Sequence, residues 1–316
     1  MAVIVVTVGL PDSGFEALRE AGHTVLMPET VGQPWPRERL LSLLAEADAV
    51  IACSAFDAEL IHAAPRLRHI ANYGAGYDSV DIREAARLGI PVTNIPETVT
   101  DSTAELAIGL TLAVCRRIGE MDLRMRQERP ESLFGLGHEM GMNLSGLTLG
   151  IIGAGRIGGR TAQLGAALGM RPVGYSRHGA DPALMEPLPF DEVLRRADVV
   201  SIHCPLTPET RGLIGRGAME RMKPGAVLIN TSRGAVVDTD ALCDLLESGR
   251  LWGAGIDVYP DEPHVPERLL AQKRAVLTPH VGSNTLQART GMARALCVQI
   301  LDVLAGRRPT HIVNGL

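Results

Sequence analysis

The stretch Thr148–Gly169, TLGIIGAGRIGGRTAQLGAALG, decides how the chain is read. It opens on an apolar β-type run with Leu149, Ile151 and Ile152. A glycine turn follows, Gly153-Ala154-Gly155-Arg156-Ile157-Gly158, and then an Ala/Leu-rich segment of helical character that stops at Gly169. G-x-G-x-x-G carries meaning only between a strand and a helix, and here it has both. Gly153 permits the tight turn, Gly155 lets backbone approach a pyrophosphate, and Gly158 lets the helix pack closely on the strand. The free N–H groups at the helix start then face the phosphates. On this evidence alone, a plain glycine turn of any parallel α/β protein stays open.

The same alternation of strand and helix extends in both directions. Before the fingerprint, strand-like runs lie at residues 2–8, Val25–Met27, Ala49–Cys53, His69–Tyr73 and Val92–Asn94. Helical segments fall between them at Phe15–Ala21, Arg37–Glu46 and Ile82–Leu88. After it, strands are expected at Pro172–Tyr175, Val199–His203, Ala226–Asn230, Gly253–Asp257 and Val276–Thr278, with helices at Thr239–Ser248 and Thr285–Ala305. Such alternation predicts parallel sheets with helices on their faces. The first βα turn, Gly9-Leu10-Pro11-Asp12-Ser13-Gly14, is no dinucleotide fingerprint, so the first hundred residues form a separate α/β domain. Asp101 or Ser102 is a good N-cap with Glu105 placed for a capping box, and one long helix is predicted from there to about Gln127. The polar segment Glu128–Asn143 reads as a loop and a candidate subunit contact.

Bulk properties narrow the function. At 316 residues the chain suits about two domains. A net charge of −5 implies no basic face for nucleic acid. No apolar run reaches the ~18 residues of a membrane span, and MAVIVVTVGL lacks the marks of a signal peptide. Cys53, Cys115, Cys204, Cys243 and Cys297 are scattered without C-x-x-C spacing, as expected of reduced core thiols in the cytoplasm. No metal site is predicted, because no His/Cys cluster has ligand spacing.

The residues with chemistry sit after strands. The segment after the second strand of the fingerprint domain reads Ser176-Arg177-His178, where an acidic residue would bind a ribose 2′-OH. A hydroxyl and a guanidinium there suit a 2′-phosphate, which favours NADP over NAD. Arg233, in Asn230-Thr231-Ser232-Arg233-Gly234, can fork two hydrogen bonds to a carboxylate. His280, in Thr278-Pro279-His280-Val281-Gly282-Ser283, can exchange a proton near neutral pH. Glu262, in Asp257-Val258-Tyr259-Pro260-Asp261-Glu262-Pro263, can orient that imidazole and stabilise its charged form. The N–H groups of Ala75 and Gly76, in the turn Tyr73-Gly74-Ala75-Gly76-Tyr77-Asp78, can hold a small anion. Singly, each of these has a structural explanation: a turn histidine, a surface glutamate, an ion-pairing arginine, a plain βα turn.

The motifs GAGRIG, NTSRGAVVDTDAL, GIDVYPDEP and TPHVGSNT, with NYGAGYDSVD and STAELAIGL before them, resemble those of the D-isomer specific 2-hydroxyacid dehydrogenases over nearly the whole chain. The resemblance implies two Rossmann-like α/β domains. One is a discontinuous, flavodoxin-like substrate domain, residues 1–99 and 284–316; the other is a doubly wound dinucleotide-binding domain, residues 100–283. It implies a catalytic triad of Arg233, Glu262 and His280, with Arg233 and His280 also touching substrate, and backbone of Ala75 and Gly76 on the substrate carboxylate. Gly153, Gly155, Arg156, Ile157 and Gly158 would contact the cofactor phosphates, and Ser176 and Arg177 the 2′-phosphate. Cys204, Pro205 and Thr210 would lie near the adenosine or diphosphate. Thr103, Thr231 and Asp257 would lie near the nicotinamide end, with Ser232 and Gly282 also on the cofactor.

The implied activity is reduction of a small 2-keto acid to the (R)-2-hydroxy acid with NADP(H), NAD being the alternative, by a cytoplasmic homodimer. Ser176-Arg177 is shared with NADPH-dependent glyoxylate and hydroxypyruvate reductases, so those two substrates lead, ahead of 2-ketogluconate. In the family the loop before the fingerprint commonly carries tryptophan, whereas this chain offers Phe134, Leu136 and Met140. Formate dehydrogenases carry Gln where this chain has Glu262. Phosphoglycerate enzymes usually prefer NAD and often add a regulatory domain. Non-enzymatic corepressors share the fold, and with Leu316 as the last residue no interaction tail is expected.

Overall fold

The computed structural model describes residues 1–128, 137 and 139–316. The chain separates into two compact units, Met1–Val99 with Asn284–Leu316, and Thr100–Ser283.

In the first unit the strands are β1 (Val3–Val6), β2 (Thr24–Leu26), β3 (Ala49–Ala52), β4 (His69–Asn72) and β5 (Val92–Thr93). They form a parallel sheet in the order β2-β1-β3-β4-β5, the flavodoxin-like order. Helices α1 (Glu16–Glu20), α2 (Arg37–Leu44), α3 (Ala58–His62) and α4 (Ile82–Arg87) connect the strands. The apolar runs are buried on both faces, as a parallel sheet requires: β3 and β4 are buried at every position. Asp57 and Asp81 cap α3 and α4 through the N–H groups of Leu60 and Glu84, both at 3.0 Å.

The second unit begins with α5 (Thr100–Cys115) and α6 (Ile118–Glu128). Its strands are β6 (Thr148–Ile152), β7 (Arg171–Tyr175), β8 (Glu186–Pro187), β9 (Val199–Ile202), β10 (Ala226–Asn230), β11 (Leu251–Ile256) and β12 (Ala275–Leu277). Among the described residues they form one parallel sheet, β12-β11-β10-β9-β6-β7-β8. The order reverses direction between β6 and β9, where a doubly wound sheet opens its ligand crevice. Helices α7 (Arg156–Ala167), α8 (Phe190–Arg196), α9 (Arg216–Arg221), α10 (Thr239–Glu247) and α11 (Glu267–Leu270) complete the unit. Leu149 and Ile151 pack with Ala107, Leu110 and Ala162 of α5 and α7 on one face. Ile152, Val200 and Leu228 pack with Val193, Met219 and Leu242 of α8, α9 and α10 on the other. Leu149 and Ile151 are fully buried, so truncating either to alanine costs about 2–5 kcal/mol. The chain ends in α12 (Leu286–Leu304), capped by Thr285 onto the Ala288 N–H, and this helix belongs to the first unit.

One expectation fails. The helix predicted from Asp101 or Ser102 to Gln127 starts a residue earlier and is two helices, α5 and α6, so Asp101 and Ser102 lie inside the first turn of α5 and do not cap it. The break falls at Arg116–Arg117, and Arg117 adopts a left-handed φ of 56°. Its cause is tertiary. The Cys115 carbonyl, which would accept the next helical bond, takes the Met142 N–H at 2.8 Å instead. Gly141 lies so close there that a Cβ would stand 2.6 Å from that oxygen.

Candidate active site

Register sets the site. Ile152 pairs with Tyr175 on β7 and with Ile202 on β9; Asn230 pairs with Ile202 and with Ile256; Ile256 pairs with Leu277. Ser176, Gly153, His203, Thr231, Asp257 and Thr278 therefore emerge side by side along the carboxyl edge of one sheet. This edge is where ligands gather in open α/β sheets.

The fingerprint turn fits a pyrophosphate. Gly153 has φ +99°, and a Cβ there would stand 2.4 Å from the Cys204 nitrogen, so only glycine fits. Gly155 caps α7 with no side-chain bond, the first helical turn holds no acidic residue, and nothing lies within 4 Å of its Cβ position. Gly159 is the first to bond back, to the Gly155 carbonyl at 2.8 Å. The N–H groups of Ile157 and Gly158 have no acceptor among the described residues, which leaves an open, positive helix end.

Beside it, Arg177 is exposed and Ser176 half-buried. The Arg177 charge reaches Cys204 and Glu209, favouring the ionised form of each. The Thr210 hydroxyl is used within its own loop: it donates to the Pro205 carbonyl at 2.6 Å and accepts from the Thr207 N–H at 2.8 Å. Thr231 differs. Its Oγ1 is buried and has no partner among the described residues, the state of a hydroxyl awaiting a bound group. Ser232 is engaged with Asn230, hydroxyl to Oδ1 at 2.9 Å. The donors and open space along this edge fit a dinucleotide.

Glu262 and His280 are brought into direct contact, Oε2 to Nδ1 at 2.7 Å. The carboxylate is held from behind, because Oε1 accepts the Tyr259 N–H at 3.0 Å. Half-burial works against the Glu262 charge. The hydrogen bonds from His280 and Tyr259, with the charges of His280 and Arg233, outweigh it and hold this carboxyl below the usual range. A carboxylate only accepts, so Nδ1 carries a proton and Nε2 is the atom left to exchange one.

His280 sits at φ +51°, a left-handed conformation that costs a residue with a Cβ about 1–2 kcal/mol. Asp257 stabilises that turn. It is fully buried and accepts the Thr278 hydroxyl at 2.6 Å, the Val281 N–H at 2.8 Å and the Gly282 N–H at 2.9 Å. The His280 N–H in turn donates to the Asp257 carbonyl at 2.8 Å. A Cβ on Gly282 would meet Thr103 and Asp257 together, so these three predicted residues share one place.

Arg233 follows β10, with Asn230 Nδ2 bonded to its carbonyl at 3.0 Å. Its charge acts on Glu262, and its Nη1 donates to the Ser232 carbonyl at 2.8 Å. The next residue must be glycine: a Cβ on Gly234 would stand 2.0 Å from the Tyr259 carbonyl carbon. That close approach brings the arginine and glutamate loops together.

Three contributors escape a reading of the sequence alone: Tyr259, whose hydroxyl also donates to the Thr278 carbonyl at 2.9 Å, Asn230, and the clamp role of Asp257. Their presence in the DVYPDEP and NTSRG motifs was the available signal. Ala75 and Gly76 lie half-buried in the first unit, on the turn after β4. Phe134 and Leu136 lie outside the described residues, and Met140 is exposed.

Among the described residues no group of His, Cys, Asp and Glu is arranged to hold a metal, and no helix is long and apolar enough to cross a membrane. The five cysteines are unpaired. Burial pushes Cys53 and Cys297 up to about 12 and Cys115 and Cys204 up to about 11, so all four are thiols at neutral pH.

Residues 108–282 match the family described as D-isomer specific 2-hydroxyacid dehydrogenase, NAD binding domain. The chain is 41% identical to a glyoxylate reductase of Thermococcus litoralis, over 98% of this chain and 96% of that one. Among solved structures it resembles the TT0316 protein of Thermus thermophilus, with a TM-score of 0.92 and 40% identity over 98% and 99% of the two chains. It also resembles an NADPH-dependent glyoxylate/hydroxypyruvate reductase of Sinorhizobium meliloti in complex with NADP and malonate, with a TM-score of 0.88 and 28% identity over 99% and 96%. The chain belongs to the D-isomer specific 2-hydroxyacid dehydrogenases.

Proposed function

We propose that this chain reduces small 2-keto acids, glyoxylate and hydroxypyruvate first, to the 2-hydroxy acid, of (R) configuration where the product is chiral, with NADPH preferred over NADH. The observation that carries the reading is the Glu262–His280 pair at 2.7 Å, on the sheet edge that holds the glycine fingerprint. The similarity to glyoxylate reductases supports the substrate class. The exposed Arg177 beside Ser176 supports the cofactor preference.

Residues 100–283 serve as the dinucleotide-binding domain, and residues 1–99 with 284–316 as the substrate domain. Gly153, Gly155, Arg156, Ile157 and Gly158 hold the pyrophosphate, and Ser176 and Arg177 the 2′-phosphate. Cys204, Pro205 and Thr210 lie near the adenosine side or the diphosphate. Thr103, Thr231 and Asp257 lie near the nicotinamide end, with Ser232 and Gly282 also on the cofactor. The bound cofactor supplies a hydride to the carbonyl carbon. Arg233 forks two N–H groups to the substrate carboxylate, and the N–H groups of Ala75 and Gly76 are a second anchor. As the carbonyl π bond opens, protonated His280 gives the Nε2 proton to the oxygen and is left neutral. Glu262 keeps Nδ1 protonated and the ring in place throughout. The exposed Ile118, Leu123 and Met125 of α6 support a homodimer, and the unpaired thiols support the cytoplasm.

The test is His280→Ala with glyoxylate and NADPH. Turnover is expected to fall about 10³-fold, with NADPH binding unchanged. Turnover near that of the wild type would remove His280 as proton donor.

A further inference from the structure

The proposed reading places the keto-acid carboxylate on the turn after β4, and the first unit shows how that turn is held. Three successive carbonyls there are bound from behind. Asn72 Nδ2 donates to the Gly74 carbonyl at 3.0 Å and to the Gly76 carbonyl at 2.9 Å. Asn94 Nδ2 donates to the Ala75 carbonyl at 2.7 Å, and the Ile95 N–H to the Gly74 carbonyl at 3.2 Å. In a trans peptide the C=O and N–H of one unit point in opposite directions. Turning the carbonyls of residues 74, 75 and 76 toward this wall therefore turns the N–H groups of Ala75, Gly76 and Tyr77 away from it. None of those three has an acceptor among the described residues.

We infer that Asn72 and Asn94 are positioning residues that set a three-amide nest, Ala75–Gly76–Tyr77, for the substrate carboxylate. Both are nine-tenths or more buried. A buried amide side chain carries a desolvation cost that its hydrogen bonds must offset, and here the Nδ2 bonds go to this one turn. Asn94 is itself fixed, since its carbonyl accepts Gln299 Nε2 at 3.0 Å and Gln299 is tied through Thr93 to His69. Asn72 is the last residue of β4, in register with β3. The nest is thus referred to the sheet on one side and to α12 on the other. The Arg289 guanidinium, 5.5 Å from the centroid of the adjoining Tyr73 ring, adds positive potential near the same turn. The three donors match the oxygens of a carboxylate, and they need no side chain of their own.

The inference rests on the reading of Ala75 and Gly76 as the anchor, so wild-type turnover of glyoxylate and of hydroxypyruvate is measured first. If neither glyoxylate nor hydroxypyruvate is turned over, that reading falls; otherwise the variants are assayed with the one that is. With turnover established, Asn94→Leu keeps the volume and removes the donor. KM for that keto acid is expected to rise about tenfold, with kcat within about threefold and the Kd for NADPH unchanged. Asn72→Leu removes two bonds to the turn, leaves the Gly76 carbonyl without a partner, and should raise KM further. If a leucine variant gives no cooperative melt, Asn94→Ser, which returns a short donor, is expected to fold with a smaller rise in KM. Unchanged KM in variants that fold would overturn the inference alone. A parallel loss of kcat and NADPH affinity would also overturn it, because it would mark general damage.

Discussion

Each unit has a glycine-bearing turn after the strand where its sheet order reverses, and the two turns have opposite electrostatic fates. After β1, the Gly14 N–H is taken by its own neighbour: Glu16 accepts it through Oε1 at 3.1 Å and Oε2 at 2.9 Å. That bond holds the Glu16 carboxyl below its usual range. Phe15 is fully buried, α12 lies against Gly14, and α1 is a single short turn. After β6, α7 is long and its start is uncapped, free of acid and open. Sheet order alone does not make a phosphate site. What decides is whether the helix-start amides have been satisfied from within.

That contrast can be broken by one residue. Gly155 has extended backbone, φ −82° and ψ −159°, and open space at Cβ, so Gly155→Asp puts on α7 what Glu16 puts on α1. Aspartate is a better N-cap than glycine and should stabilise the fold by about 0.3 kcal/mol. On the proposed function the same carboxylate would face the cofactor phosphates, and NADPH affinity should fall about a hundredfold. A melt and a fluorescence titration read the two effects. Unchanged NADPH affinity would show that the open helix end is not the phosphate site.

A smaller effect sharpens the comparison at the next strand end. Arg177→Ala should lower kcat/KM for NADPH about 10–100-fold, the value of a charged hydrogen bond, and leave NADH within about threefold. Equal losses on both cofactors would place Arg177 elsewhere than on the 2′-phosphate.

The smallest effect is read by pH, and each unit carries one such group: His69 in the first, and in the second His203, which burial pushes down to about 4. In the first unit, burial pushes His69 down to about 3. The unfolded chain takes up that proton near pH 6.5, so between about 6.5 and about 3 the unfolded state binds more protons and stability is lost as pH is lowered. His69→Gln should remove up to about 1.4 kcal/mol per pH unit of that slope, read from urea melts at pH 7 and 5. An unchanged slope would mean that His69 is not the group responsible.

Much of this was legible in the residues. The fingerprint announces its strand, turn and helix because glycine placement and hydrophobic period act locally. Thr285 marks the start of α12, and the strand-end positions of Arg233, Glu262 and His280 follow from the β-branched runs before them. The break at Arg116–Arg117 was not legible. No proline or glycine stands there, and the helix stops because a segment two dozen residues later captures a carbonyl. Asn72 and Asn94 were silent for a similar reason: an asparagine near a turn reads as turn chemistry, and only the folded chain shows whose carbonyls it holds.

On the proposed function this sheet edge performs NADPH-dependent reduction of a small 2-keto acid. The most direct test is the initial rate of NADPH and NADH oxidation with glyoxylate and with hydroxypyruvate. Turnover of at least one of the two is expected, with kcat/KM higher for NADPH. Tight nucleotide binding with no turnover of either keto acid would contradict it.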